Sequence, residues 1–397
     1  MRLSASNASK VKSAYYGIIL FGVVSLFGDI VYEGARSAVP EYMKIMGASA
    51  TFVGLIIGFG EFLAYAIRLP AGSFVDIFGL YWITTFIGYA SLFSIPLLAI
   101  APSLAWIALF VFLERFGKGV RNPSRDALLS VVSKDVGSGK AFGIHEFLDQ
   151  IGAVTGPTIV AAILFYTNNS FRTAFASLSP FVVLCLLALF LAYTFTRERT
   201  KVIESRKEKI NMREEFSKIP KHFWLYSISA FLSTAGFVHF ALLSYRLQGL
   251  VPDWLVAFSF SLAMAIDAIF ALFLGFLYDK YKLKVFYFIF IANTLPAILA
   301  IFPNPMLLVL AIASFGIGMG AQESIYRSVI ADLTPIHLRG TAYGIFNTLY
   351  GLAWTIGGTI AGIFYDLNHP EVVAIFSIFM ELVAFYFTFK VEEFLNQ

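Results

Sequence analysis

The sequence predicts an all-α protein that crosses a membrane many times. Of its 397 residues, 58% are hydrophobic and only 14% are charged, whereas a soluble chain of this length carries about 25% charged residues. Apolar runs of about 20 residues, the length a helix needs to cross the hydrocarbon core, recur along the whole chain. These runs are continuous and lack the alternation typical of membrane β-barrel strands. The composition therefore excludes a water-soluble globule.

Twelve hydrophobic segments are predicted to be membrane helices, and turn-forming residues separate them. They cover residues 14–38, 50–71, 80–101, 104–124, 141–166, 173–196, 221–245, 254–277, 283–302, 305–327, 341–365 and 371–390. One long polar segment lies midway between them. The chain is therefore predicted to consist of an N-terminal six-helix half (1–196), a cytoplasmic linker (197–220) and a C-terminal six-helix half (221–397).

Lysine and arginine residues predict the orientation of these segments, because cytoplasmic loops carry an excess of both. With the N-terminus inside, the inner loops receive most of the basic residues, including nine between Arg197 and Lys221. The outer loops then hold little beyond Lys44, Arg172 and Arg246. We therefore expect a multi-pass protein of the plasma membrane with both termini in the cytoplasm.

Several kinds of partner are not expected. The net charge of +4 comes from basic residues at span ends and in loops, so no nucleic-acid partner is predicted. The single cysteine, Cys185, lies inside an apolar run, which excludes a disulfide framework and a cysteine metal site. No cofactor is predicted, and the protein is expected to act as a monomer in the lipid bilayer.

The two halves resemble each other in sequence. At an offset of 201 residues, GKAFGI (139–144) aligns with GTAYGI (340–345). The same offset aligns glycines at equivalent span ends: Gly117 and Gly119 with Gly318 and Gly320. Transporters with rocking halves are built from such repeats, and their binding site lies near the midplane between the halves.

Four motifs resemble those of the major facilitator superfamily, and the resemblance covers essentially the whole chain. They are GSFVDIFG (72–79), RFGKG (115–119), GAVTGP (152–157) and GFLYDKYK (275–282). The resemblance implies the fold of that family, with twelve membrane helices in two pseudo-symmetric six-helix bundles. Two positions depart from the family pattern: the loop after Asp76 lacks the usual basic residues, and GAVTGP lacks its trailing glycines.

The fourth-span block ERFGKGVRNPSRDAL (114–128), followed by AFGIHEFLDQIGAVTGP (141–157), is similar to a prokaryotic efflux-type branch of the family. That branch includes proteins described as nickel-resistance-type exporters. The family motifs imply gating or packing roles for Gly72, Asp76, Gly79, Gly119, Gly152, Gly156, Pro157 and Asp279. Asp76 is expected to act as a switch near the start of the eleventh span, where a helix N-terminus favours an anion.

Ionisable residues near the bilayer centre are the candidates for function, because a charge there costs about 2.5 to 3.5 kcal/mol and needs a wet cavity or a partner. Depth along the spans places these residues among them: Asp29, Glu33, Arg36, Glu61, Glu114, Arg115, His145, Glu146, Asp149, His239 and Asp267. The first choices for proton coupling are Asp29, Glu61, Glu114 and Asp149. Arg115 is the cation expected to tune their proton affinity.

Alternatives remain for several of these residues. Asp29, Glu33 and Arg36 share one helix face and could neutralise each other. Glu114 and Arg115 could form a static ion pair. HEFLD (145–149) could provide a weak contact for a hard cation, although it lacks the second histidine of a zinc-protease motif. His239 and Asp267 are candidates for substrate contact.

A further group of charges is predicted to lie at the cytoplasmic ends of the spans. Lys118, Arg121, Arg125 and Asp126 descend toward the inner face, where anchoring and gate salt bridges explain them. Glu323 and Arg327, four residues apart, are expected to form a cytoplasmic gate pair.

These observations predict a secondary active transporter, with proton-coupled export of a small solute by alternating access. Acids outnumber bases across the predicted midplane, which favours protons and a metal cation or an organic, drug-like cation. A proton-coupled importer is the first alternative, and a non-transporting receptor or assembly protein is the second. The sequence contains no G-x-S-x-G motif or P-loop, so an enzyme is not expected.

Overall fold

The computed structural model describes residues 5–204, 218–335 and 338–395, and every regular element in this part is helical. The α-helices are α1 (Ala5–Arg36), α2 (Val39–Ile45), α3 (Ala50–Ala66), α4 (Arg68–Phe78), α5 (Tyr81–Ala90), α6 (Ser94–Leu97), α7 (Leu104–Val132), α8 (Ser138–Tyr166), α9 (Phe171–Ala176), α10 (Ser179–Glu204), α11 (Lys221–Gly236), α12 (Phe240–Leu247), α13 (Asp253–Tyr281), α14 (Val285–Leu299), α15 (Pro305–Leu333), α16 (Arg339–Asp366) and α17 (Pro370–Leu395). The all-α prediction is confirmed. Residues 197–204 of the predicted linker continue α10, and 205–217 lie outside the described residues.

Nine segments of the described chain are long and apolar enough to cross a membrane. One of them, Asp253–Leu299, contains both α13 and α14, while the long helices α7 and α16 are not among the nine. Six charged residues between Glu114 and Asp126 lower the hydropathy of α7 despite its length. A multi-pass arrangement is confirmed, and the count of twelve spans stays a prediction.

Local sequence explains several helix ends. The Asn304 side chain accepts hydrogen bonds from the backbone N–H groups of Met306 and Leu307, at 2.9 and 3.2 Å, and Pro305 occupies the first helical position of α15. Asparagine is favoured at the cap because its side chain accepts hydrogen bonds from the free N–H groups of the first turn. Proline is favoured at the first helical position because it has no N–H group that needs a partner. Gly79 ends α4 with φ of 70°, which explains why this motif position takes glycine.

Buried apolar side chains form two clusters, one in each half. One surrounds Phe21 and Leu128 and contains mostly residues before 200. The other surrounds Phe260 and Phe315 and contains mostly residues after 218. Each half therefore has its own core, and the surface between the halves is free to be polar.

Glycines bring α3 and α16 into backbone contact along the boundary between the halves. A Cβ atom on Gly54 would lie 2.1 Å from the Gly358 carbonyl oxygen, and one on Gly58 would lie 2.7 Å from the Trp354 carbonyl oxygen. We call this contact the glycine seam; its members are Gly54, Gly58, Gly351, Gly358 and Gly362. Small residues allow such close approach between membrane helices.

The two ends of the molecule differ. At one end, which we call the terminal end, Gly17 of α1 packs near Val132 and Thr196, and the His222 and Phe394 ring centres lie 5.4 Å apart. The opposite end, the far end, contains the α1–α3 connection and the C-terminus of α16. Near the terminal end Glu146 and Arg327 are exposed, so the boundary between the halves is accessible from there.

Hydrogen bonds between the halves close the far end. Lys44 Nζ donates to the backbone oxygens of Tyr245 and Gln248, at 2.6 and 3.3 Å. The Asp366 carboxylate, at the end of α16, accepts from the backbone N–H groups of Ala50 and Thr51, at 2.7 and 2.8 Å. These contacts form the far-end seal. Asp366 satisfies free N–H groups at the start of α3, so one half caps a helix of the other.

Replacing Asp366 with Ala is expected to loosen this seal. Loss of a helix cap costs about 1 kcal/mol, which corresponds to an increase of about fivefold in conformations open at the far end. Spin labels at the exposed positions Ile45 and Leu367, in a Cys185→Ser background, would report the separation of the halves. Glu371→Ala is the control, since Glu371 binds His369 of its own half. An unchanged distance distribution in Asp366→Ala would contradict the role of the seal.

Candidate site between the two halves

A chain of buried ion pairs runs through the N-terminal half and is built by α1, α3 and α7. At its centre, Oε1 of Glu61 lies 3.3 Å from NH1 of Arg115 and 3.5 Å from NH2 of Arg36. One helix supplies each of these three side chains. Because all three are at most 8% exposed, their charges must be compensated within the protein.

The chain continues in both directions from Glu61. Arg36 also pairs with Glu33 at 3.4 Å. Glu114 lies 3.8 Å from Arg115 and 3.6 Å from Arg121. The ionic chain therefore has three acids and three bases, in the order Glu33, Arg36, Glu61, Arg115, Glu114 and Arg121.

The position of Arg121 corrects the sequence analysis. Anchoring or a gate salt bridge at the terminal end was predicted for it, yet it is 2% exposed, pairs with Glu114 and donates to the Gly88 carbonyl oxygen at 3.2 Å. The reason is the close approach of α5 and α7: a Cβ on Gly88 would lie 2.7 Å from the Gly117 carbonyl oxygen. Gly88 and Gly117 thus leave room for the Arg121 guanidinium inside the bundle.

Within the ionic chain the formal charges balance, because Arg36 and Arg121 join Arg115. The predicted excess of acids lies outside it, in Asp29, Asp149 and Asp267. The alternative in which Asp29, Glu33 and Arg36 neutralise each other holds only for Glu33 and Arg36, which pair directly. Asp29 instead faces Asp149 of α8.

Tyr32 contacts cations in and beside the ionic chain and was not among the predicted residues. Its hydroxyl accepts a hydrogen bond from Arg115. Lys118 Nζ lies 3.5 Å from the centre of its ring, a geometry in which the ring face attracts the cation. Lys118 is thus directed toward the ionic chain.

His239 connects the ionic chain to the C-terminal half. It lies at the break between α11 and α12, and its Nδ1 accepts from the backbone N–H of Ala241 at 2.9 Å. Its Nε2 lies 3.4 Å from NH2 of Arg36, and its ring packs edge-on against Trp354 at 4.9 Å. The structure therefore places this predicted substrate contact at the boundary between the halves.

A second set of acids has no basic partner within 4.0 Å in the described part of the chain. These unpaired carboxylates are Asp29, Glu146, Asp149, Asp267 and Glu323. Asp267, 1% exposed, has an Oδ1 atom with no hydrogen-bond partner. Its carboxyl interacts electrostatically with Glu323 of its own half, with Glu33 and Glu146 of the other half, and with Arg36. Acids of both halves therefore converge at the boundary.

Asp149 has one close polar contact, because the Ser25 hydroxyl donates to it. His145, Glu146 and Asp149 share one helix without converging: the described residues contain no group of three such side chains that could hold a metal ion. The hard-cation contact considered for HEFLD is not formed by these three residues in this conformation.

The predicted gate residues are distributed over the terminal end. Arg125 pairs with its neighbour Asp126 at 2.8 Å. Glu323 and Arg327 are not an ion pair within 4.0 Å among the described residues. They line a small cavity with Tyr65, Gln322, Phe346, Asn347 and Tyr350.

The two acidic motif positions have different surroundings. Asp76 accepts a hydrogen bond from Tyr81 of its own half at 2.8 Å. In the second half, Asp332 rather than Asp279 accepts from Tyr278 and Lys282, at 2.9 and 3.2 Å. Asp279 is exposed.

The motif glycines serve helix packing. A Cβ on Gly152 or Gly156 would lie 2.4 Å from a carbonyl oxygen of α1, and one on Gly119 would lie 3.0 Å from the Ala64 carbonyl oxygen. Gly72 has more room, with Pro123 as its near neighbour at 3.6 Å. Pro157 lies inside α8, which continues through it.

Sequence analysis missed three features of the boundary and core. Asp366 and the glycine seam join positions that only the fold brings together. Glu381, 2% exposed in α17, had the same signal as the predicted acids: a single carboxylate inside an apolar run.

Two bundles with separate cores and a charged boundary, sealed at one end and accessible from the other, define a multi-pass α-helical membrane protein built from two halves. The chain belongs to the Major Facilitator Superfamily: the model of that family matches residues 19–266 and 244–396. The resemblance to this superfamily and its all-α fold are thereby confirmed, while the efflux-type branch and the count of twelve membrane helices stay predictions.

Relatives cover the whole chain or one half of it. An uncharacterised protein of Mycobacterium tuberculosis is 35% identical over 389 residues, covering 96% of this chain and 93% of the relative. An uncharacterised MFS-type transporter of Methanocaldococcus jannaschii is 26% identical over 380 residues, covering 92% of each. The multidrug resistance protein MdtH of Citrobacter koseri is 28% identical over 181 residues, covering 45% of this chain and 42% of MdtH.

Solved structures support the fold. A mutant of the nucleoside transporter NupG superposes with a TM-score of 0.75 at 15% identity, covering 94% of this chain and 98% of NupG. A bacterial homologue of the human lysosomal transporter Spinster superposes with a TM-score of 0.72 at 15% identity, covering 97% and 98%. At this identity the likeness concerns the fold alone.

Proposed function

We propose that this protein is a secondary active transporter that couples proton movement to the export of a small cationic solute, either a metal cation or an organic, drug-like cation. The observation that carries this proposal is the convergence of unpaired carboxylates from both halves at their boundary. Glu146 of the N-terminal half interacts electrostatically with Asp267 and Glu323 of the C-terminal half, and Asp149 interacts with Glu146 and with Asp29. Such a site attracts protons and cations and repels anions.

The ionic chain and the unpaired carboxylates have different roles in this proposal. Glu61 and Glu114 each have two guanidinium neighbours, which hold their negative charge in place. No described guanidinium lies within 4.0 Å of Asp149 or Asp267, so they are available to bind a proton or the charged group of a substrate. We therefore assign coupling to the unpaired carboxylates and positioning of α1, α3 and α7 to the ionic chain.

Alternating access is supported by the contrast between the two ends. The far-end seal consists of a few hydrogen bonds between halves, and the glycine seam presents backbone rather than interlocked side chains. Contacts of this kind allow two rigid bundles to rock about a central site. The present conformation has the far end closed.

The direction of transport and the orientation are part of the proposal. The basic residues at the terminal end support an orientation with this end in the cytoplasm, and the plasma membrane is the proposed location. Export is supported by the GAVTGP motif and by similarity to a protein named for multidrug resistance. An importer is the alternative, and the direction of solute movement in vesicles decides between the two.

Replacing Asp267 with Asn is expected to uncouple transport. Without an ionisable group at the boundary, uptake driven by an imposed pH gradient should fall at least about 100-fold, while exchange of substrate without a gradient persists. Asp149→Asn should behave in the same way, and Glu198→Gln, at the exposed end of α10, is the matched control. The assay uses proteoliposomes and everted vesicles with a panel of divalent metal ions and cationic dyes.

Two results would contradict the proposal. If no solute of the panel moves in the wild type, a receptor or assembly role replaces transport. If Asp267→Asn and Asp149→Asn both retain gradient-driven transport, the carboxylates do not couple it. Accumulation in right-side-out rather than everted vesicles would favour import.

A further inference from the structure

A second acidic site lies inside the C-terminal bundle, apart from the boundary between the halves. Four helices converge there, and each contributes one polar side chain: Ser233 from α11, Asn293 from α14, Tyr326 from α15 and Glu381 from α17. All four are at most 2% exposed. No described basic residue lies within 4.0 Å of Glu381, and Tyr326 is the titratable side chain that faces it.

The hydrogen bonds of this group can be assigned completely. Ser233 Oγ donates to Oε1 of Glu381 at 2.9 Å. The Tyr326 hydroxyl then donates to Ser233 Oγ at 2.8 Å, because the serine proton is already used. Asn293 Nδ2 donates to Ser233 Oγ at 3.1 Å and to the Tyr326 hydroxyl oxygen at 3.4 Å. All the side-chain donors of the group are thereby occupied.

Two buried acceptors remain. Oε2 of Glu381 and Oδ1 of Asn293 are both buried in this group of side chains and have no hydrogen-bond partner. A buried acceptor without a donor is costly, and a buried carboxylate without a cation is more so. One additional monovalent cation would satisfy both oxygens and neutralise the site.

We propose that Glu381, Asn293, Ser233 and Tyr326 form a binding site for one monovalent cation, a proton or Na⁺, within the C-terminal bundle. A proton on Oε2 would be donated toward Asn293 Oδ1 and completes the hydrogen bonds without extra volume. Na⁺ prefers the same oxygen donors but needs more room. A Cβ on Gly318 would lie 2.6 Å from Asn293 Oδ1, so the region is closely packed and the proton is the expected occupant.

A role for this site as a second coupling site rests on the proposed transport function. Binding of the cation is tested separately, without a transport assay. Purified full-length protein in nanodiscs is examined by difference infrared spectroscopy during a pH titration. The wild type should show a protonated-carboxyl band that Glu381→Gln removes. Glu392→Gln, on the same helix, is the matched control, because Glu392 accepts from Tyr287 and is partly exposed.

The second measurement identifies the cation. The thermal unfolding midpoint is recorded with Na⁺ and with N-methylglucamine at equal ionic strength. Bound Na⁺ would raise the midpoint by about 5 °C at about 100 times its Kd, and Glu381→Gln would abolish this rise. A proton in the site gives the carboxyl band and no Na⁺-specific shift.

A variant with an intact carboxyl covers the case in which Glu381→Gln fails to fold. Asn293→Ala removes the acceptor of the shared proton, so the band should move to the higher frequency of a carboxyl without that hydrogen bond. The proposal is overturned if no band responds to either substitution and Na⁺ has no specific effect. None of these outcomes depends on whether a transported solute has been found.

Discussion

Arg115→Met is expected to lower the free energy of unfolding by about 3 to 5 kcal/mol and to abolish transport. Arg115 lies between Glu61 and Glu114 in the ionic chain, at 3.3 and 3.8 Å. Removing one partner leaves buried charge uncompensated, which costs more than the ion pairs themselves contribute. Methionine keeps most of the aliphatic volume, so the loss reports the charge rather than a cavity.

A double variant separates these contributions. Arg115→Met leaves the Glu61 carboxylate with one cation fewer, and Glu61→Gln removes the charge of that carboxylate. The two substitutions together should therefore lower the free energy of unfolding by less than the sum of their separate effects. Arg125→Met is the matched control on the same helix. Its partner Asp126 remains in contact with solvent, so this pair should contribute less than the buried pairs of Arg115. Unfolding in detergent and transport in proteoliposomes are both measured. If Arg115→Met and Arg125→Met lowered the free energy of unfolding equally, compensation of buried charge by the ionic chain would be refuted.

Gly54→Ala is expected to prevent the far end from closing. The added Cβ would lie 2.1 Å from the Gly358 carbonyl oxygen, so α3 and α16 would have to separate. Such overpacking costs about 1 to 3 kcal/mol, which disfavours the closed conformation about 5- to 150-fold. Transport should fall by a similar factor, since each cycle passes through this conformation.

The same substitution elsewhere provides the control. Gly275 lies in α13, and a Cβ there would meet no atom within 4 Å, so Gly275→Ala should leave transport unchanged. Spin labels at Ile45 and Leu367 again report the separation of the halves. A wild-type distance distribution in Gly54→Ala would show that the glycine seam is not needed for closure.

Local signals were sufficient to predict most of the fold. Long apolar runs determine the helices, because the hydrocarbon core leaves the backbone no other way to satisfy its hydrogen bonds. The depth of charged residues within those runs correctly selected buried side chains such as Glu33, Glu61, Glu114 and Arg115. The same criterion would have selected Glu381, had it been applied to α17.

The pairing of these residues was not predictable from one sequence. Arg121 is buried because Gly88, 33 residues earlier in the chain, lets α5 approach α7. Asp366 caps a helix that begins 316 residues before it. Both contacts depend on how helices are packed together, and neither leaves a trace in local composition or spacing. The distinction between paired and unpaired carboxylates, on which the proposed function rests, could therefore come only from the three-dimensional arrangement.

The balanced charges of the ionic chain have an electrical consequence. Moving one elementary charge through the membrane potential involves about 2.3 kcal/mol per 100 mV. With three acids and three bases, Glu33, Glu61, Glu114, Arg36, Arg115 and Arg121, the chain carries no net charge as its half rocks. Its displacement is electrically silent, so any voltage dependence of the proposed cycle would originate in charges outside the ionic chain, such as the unpaired carboxylates and the ions bound to them.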